Sequence, residues 1–141
     1  MPADPRELMH GQTTAALGTL MDGAPYVSLV LVAFDTDGLP LLLLSRLAQH
    51  TKNLLADPRV SLLFDGVAGL DDPLTGPRLT VLGSAAVCTD PEALRRYLAC
   101  HPSAEAYAGF NDFQLYKVSI ARAHFVAGFG QIRWVQAAEL V

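Results

Sequence analysis

The stretch Leu41-Leu42-Leu43-Leu44-Ser45-Arg46-Leu47-Ala48-Gln49-His50-Thr51-Lys52-Asn53 passes from a run of leucines into a segment loaded with hydroxyls, an imidazole and cations. The leucines predict a buried strand. The residues from about Leu47 to Ala56 predict a helix, on which Leu47, Thr51, Leu54 and Leu55 can face a core. Ser45 is placed to cap it, and the unpaired N–H groups of a first helical turn favour an anion, which makes the segment a candidate phosphate site. The competing reading is an ordinary strand-to-helix junction with a solvated basic face. Asp57-Pro58 ends the helix, because a residue that precedes proline is driven away from helical backbone.

Upstream, Pro5 to Gln12 predicts a short helix and Thr14 to Met21 a first strand ending at Asp22-Gly23. The run Tyr-Val-Ser-Leu-Val-Leu-Val-Ala-Phe after Pro25 predicts a strand on which Tyr26 and Ser28 share one face. Asp35-Thr36-Asp37-Gly38 is a hairpin turn, and Leu39 to Leu44 returns antiparallel. Downstream, strands are expected over Arg59–Phe64, Arg78–Cys88, Phe113–Phe125 and Ile132–Val135. Gly83 marks a bulge or a close approach inside its strand. Helices are expected from Thr89-Asp90-Pro91-Glu92 onward and around Ala104 to Phe110. The Gly-, Asp- and Pro-rich segment Asp65–Pro77 reads as a long loop. Antiparallel strands with inserted helices imply a small barrel within an α+β protein.

The 141 residues suit one domain spanning 1–141. With 51% hydrophobic and 17% charged residues, the chain carries enough apolar surface to imply a subunit interface. A net charge of −4 with scattered cations argues against nucleic-acid binding. No run approaches the ~20 apolar residues of a membrane span, and Asp4, Arg6 and Glu7 stand where a secretory signal would be apolar, so a cytoplasmic location is expected. Cys88 and Cys100 read as reduced, buried, inert thiols.

Among the chemical motifs, His10, His50, His101 and His124 lack the close spacing of a zinc or iron site, so no metal site is assigned. A haem needs only one axial ligand, which leaves His124 or His50 open for that role. No nucleophile elbow, P-loop or dinucleotide fingerprint occurs, and no catalytic residue is assigned. Gly128-Phe129-Gly130 fits a tight turn. Arg78 is either a surface cation or an anchor for an anionic ligand, and Trp134 either fills a core or interface or borders a planar cofactor.

In order along the chain, Leu17-Gly18-Thr19-Leu20, Gly23-Ala24-Pro25-Tyr26-Val27-Ser28, the Leu43–Asn53 motif, Asp57-Pro58-Arg59-Val60-Ser61-Leu62-Leu63, Arg78-Leu79-Thr80-Val81-Leu82-Gly83 and Ala127-Gly128-Phe129-Gly130 with Trp134 carry a resemblance. They resemble the FMN-binding split-barrel family of pyridoxamine 5′-phosphate oxidase, and more closely its subgroup related to haem-utilisation proteins. The resemblance implies a mainly β, α+β fold: a six-stranded antiparallel split β-barrel with flanking helices. It also implies a homodimer with FMN in clefts made by both subunits and an oxidoreductase acting on an unidentified small molecule. Ser28 stands where the oxidases present an arginine to the phosphate, Ser45 ends the strand beside the flavin, and His50, Thr51, Lys52 and Asn53 overlap the helix start that grips phosphate. Arg78, with Thr80 on the same strand face, falls at or beside a flavin-facing residue. The oxidases' Ser-Arg-Lys signature is replaced by Ala48-Gln49-His50, and the lysine ending their second strand by Ala33. A haem-binding or haem-utilisation protein without flavin turnover is the alternative, and a barrel without tight FMN affinity a third.

Overall fold

In a computed structural model describing residues 4–141, the alternating segments become eight strands and three α-helices. Helix α1 (Pro5–His10) is capped by Asp4, whose carboxylate accepts the Arg6 N–H. Strands β1 (Thr14–Met21) and β2 (Ala24–Leu31) form a hairpin turned by Asp22 and Gly23, both at positive φ. Strands β3 (Ala33–Phe34) and β4 (Pro40–Ser45) follow, then α2 (Gln49–Ala56), β5 (Arg59–Asp65), β6 (Arg78–Val87), α3 (Pro91–Cys100), β7 (Phe113–Val126) and β8 (Ile132–Gln136). Single 3₁₀ turns fall at Pro73–Thr75, Pro102–Ala106 and Ala137–Glu139.

The strands run antiparallel in the order β2-β1-β5-β6-β7-β4-β3, and β8 also pairs with β7. The sheet curls so that Leu17, Leu62, Val81, Ala123 and Val135, one cross-strand row, all turn inward and are buried. Burial of such aliphatic side chains contributes roughly 1.5–3 kcal/mol each and drives the curl. β2 and β3 lie at opposite ends of the order, so the half-barrel is split between β2 and β4.

The resemblance implies six strands and the segments read from the sequence number seven; the structure has eight, and two features set that count. The run after Pro25 breaks at Val32, whose N–H donates to the Thr13 carbonyl rather than to a strand partner, leaving β3 as a two-residue piece. β7 spans 14 residues, long enough to pair with β4 through Phe113–Lys117 and with β8 through Arg122–Val126. β4 is buried on both faces: Leu42 and Leu44 enter the barrel core, while Leu41 and Leu43 pack against α3. Among the described residues, no helix is long and apolar enough to cross a membrane.

Candidate groove at the barrel split

The inner row that begins with Leu17 continues across β2 to Ser28. β2 is an edge strand, so a helix rather than a further strand covers its inner side. α2 is anchored there by Asn53, whose Nδ2 donates to Thr19 Oγ1 at 3.0 Å and whose Oδ1 accepts from Gln49 Nε2 at 2.8 Å. Leu54 packs into the same core. This docking brings the first helical turn onto β2, where Ser28 Oγ and His50 Nδ1 lie 2.9 Å apart. His50 Nε2 has no protein partner among the described residues. Burial pushes the His50 pKa down, which keeps the imidazole neutral at neutral pH.

Ser45 does not cap α2. The helix starts at Gln49 after an extended Ala48, which offers no side-chain cap. Ser45 Oγ instead donates to Asp112 Oδ2 at 2.7 Å and accepts the Leu47 N–H at 3.1 Å, while Arg46 donates to the carbonyls of Asp112 and Asn111. The residues before the helix are therefore tied to the turn that precedes β7. Leu47, expected against the core, is 76% exposed because the helix begins two residues later than anticipated and leaves it outside, and Leu55 is 55% exposed because Thr51, Asn53 and Leu54 take the buried face. Thr51 is fully buried, and its Oγ1 has no hydrogen-bond partner.

Between β2, β4, the start of α2 and α3 runs an open groove of about 290 Å³. Leu29 and Leu31 form one side; Ser45, Ala48 and His50 form the rim; Tyr97, Tyr107 and Phe113 supply an aromatic wall. The Tyr107 and Phe113 rings lie 4.6 Å apart. The Tyr97 phenol, pushed up to about 12 by burial, stays protonated. Lys52 is exposed on α2, and Asn53 is consumed by its bonds to Thr19 and Gln49.

Arg78 and Thr80 stand elsewhere. They face outward on β6, opposite Val126 and His124, whereas Ser45 pairs with Phe113 at the other end of β7. That separates them by up to ~40 Å along one strand. The outward row Leu29, Ala16, Leu63, Thr80, His124, Trp134 crosses six strands. His124 and Trp134 lie 4.7 Å apart by ring centroids, and the Arg122 guanidinium sits 4.1 Å over the indole. One chain thus holds two separate clusters: the groove at the split, and an apolar outer face carrying Arg78, Arg122, His124 and Trp134. No grouping of three or more metal-ligating side chains occurs among the described residues. Cys88 is buried, but Cys100 is exposed at the end of α3, because Tyr97 and Ala93 take that helix's buried face.

The aromatic wall was missed from sequence because Tyr97, Tyr107 and Phe113 come from α3 and the residues after it, which only the β4–β7 pairing brings beside Ser45. Asp112 carried no signal at all.

A sequence profile of the pyridoxamine 5′-phosphate oxidase family matches residues 1–127. The chloroplastic non-canonical heme oxygenase HOZ of Arabidopsis thaliana is 37% identical over 129 residues, covering 87% of this chain and 39% of that protein. A solved heme binding protein from Mycobacterium smegmatis superimposes with a TM-score of 0.88 at 27% identity, over 96% of this chain and 57% of that one. The heme storage protein HutZ of Vibrio cholerae, at 20% identity and a TM-score of 0.68 over 93% of this chain and all of that one, shares the fold. The chain thus spans well under two thirds of the first two relatives.

Proposed function

The chain belongs to the pyridoxamine 5′-phosphate oxidase family, and on that premise we propose that it is a haem-binding member in which His50 would hold the haem iron. The carrying observation is the Ser28–His50 pair. In the tautomer that ligates through Nε2, Nδ1–H donates to Ser28 Oγ, which fixes the ring and leaves the Nε2 lone pair facing no protein partner. The aromatic and aliphatic lining suits a flat macrocycle, and the heme-related relatives support the same reading. Bound haem supplies iron-centred redox chemistry, while these residues hold, orient and shield it.

FMN is the second reading, favoured by the buried, partnerless Thr51 hydroxyl close to a helix start that offers the uncapped N–H groups of Gln49 and His50. Against it stands the charge supply: Arg46 is spent on Asn111, and Lys52 is exposed. FMN would bring hydride chemistry toward a small-molecule substrate. In both readings the groove is open on one side, and a second copy docked through the outer sheet face would complete it as a homodimer.

The test is a visible spectrum of the purified protein titrated with haemin and, separately, with FMN. We expect a sharp Soret band that is lost in His50→Ala and retained in His124→Ala. Loss only in His124→Ala moves the ligand to the outer face, and quenched flavin fluorescence with no Soret band selects FMN.

A further inference from the structure

We propose that Asp112 is a specificity-determining residue that sets the groove against phosphorylated ligands. The proposal rests on the reading of the groove as a cofactor site but not on which cofactor occupies it. Ser45 Oγ has one proton, which it gives to the Asp112 carboxylate at 2.7 Å, and its lone pair takes the Leu47 N–H. The hydroxyl at the groove rim therefore has nothing left to donate to a ligand oxygen.

Behind it sits a half-buried carboxylate with no ion pair to a cation among the described residues. The guanidinium of Arg46, which follows Ser45 in sequence, bonds the neighbouring Asn111 carbonyl instead. The start of α2 lies a few residues beyond Ser45, whose carbonyl accepts the Ala48 N–H, so the partial positive charge of the helix start is opposed by the carboxylate that holds the Ser45 hydroxyl. A phosphate dianion entering beside His50 would feel that charge across the Ser45 hydroxyl, since Ser45 lines the groove and Asp112 stands behind it. A flat ligand without phosphate, or a macrocycle whose carboxylates point out of the groove, would not. The groove is thus built for a largely uncharged aromatic face, and Asp112 supplies the discrimination.

The experiment compares FMN with riboflavin, which share the ring and differ by the phosphate, by fluorescence titration of the wild type, Asp112→Asn and Ser45→Ala. Asparagine keeps an oxygen acceptor for Ser45 and removes the charge. We expect the wild type to hold FMN no more tightly than riboflavin. In Asp112→Asn, FMN should tighten by about ten-fold while riboflavin is unchanged. Ser45→Ala retains the carboxylate and should show no such gain. An equal shift of both flavins in Asp112→Asn, or FMN binding as weak as in the wild type, overturns the proposal and leaves Asp112 a tie between β4 and β7. A melting curve shows whether the variant is folded, and the haemin titration of all three proteins separately tests the haem reading.

Discussion

At the scale of single residues, the chemistry turns on which polar atoms are already spent. Asn53 and Ser45 look like ligand-binding groups along the chain, yet each is committed to another side chain. His50 is not, because Ser28 takes one ring nitrogen and leaves the other. Ser28→Ala should therefore weaken haem without abolishing it, by about ten-fold, since the ring loses its orienting partner while the ligand atom remains. Haemin titration measures this, with His50→Ala as the complete loss; equal affinity in Ser28→Ala and the wild type would detach Ser28 from the site. The common face of Tyr26 and Ser28 was legible from alternation, and Ser28 does pair inward. Ser45's partner was not, because Asp112 lies 67 residues away and nothing local marks it.

At the scale of elements, β6 and β7 form the spine, and their pairing shifts register between Leu82 and Gly83. A side chain at Gly83 would collide with the Ser119 carbonyl, which is backbone and cannot swing aside. The bulge lets β7 bend enough to serve β4 with one half and β8 with the other, placing Phe113 in the groove and His124 on the outer face. Gly83→Ala should cost about 2–4 kcal/mol in denaturant unfolding, whereas Gly109→Ala, where a Cβ meets nothing, should stay within about 0.5 kcal/mol. Equal midpoints would show that the spine can relax.

The same scale shows what sequence could resolve. β1 was readable to the residue because alternation ends at a glycine turn, and the bulge was readable from a glycine inside a strand. The Asp35–Lys117 bridge, 2.8 Å long with Asp35 4% exposed, fastens the β3–β4 turn to β7, and no local pattern could announce it. Burial alone would raise the Asp35 pKa; the Lys117 hydrogen bond and the Leu39 and Asp37 amides outweigh it and hold the carboxyl below its ordinary value.

At the scale of the whole molecule, the outer face carries an apolar row that a single chain leaves in water. Leu29 is 76% exposed, Val27 69%, Ile132 64% and Trp134 49%, all on the convex side of the half-barrel. The composition implied such surface, and the structure gathers it onto one sheet face beside the open groove. That face also carries Arg78, Arg122 and Trp134, so a second copy seated there would cover them together with the apolar row. A stable dimer of standard size buries roughly 800 Å² per partner, and a leucine at its centre contributes about 2 kcal/mol. Leu29→Glu forfeits that contribution and also desolvates a charge, so association should weaken by at least about a hundred-fold, a loss visible as monomer in sedimentation at micromolar concentration. Because Leu29 also borders the groove, Ile132→Glu serves as the second variant: it lies on the same face, outside the groove lining. If both variants dissociate and both lose haem affinity, the cleft needs two chains. If Ile132→Glu is monomeric and binds haem unchanged, the groove at the split is sufficient by itself.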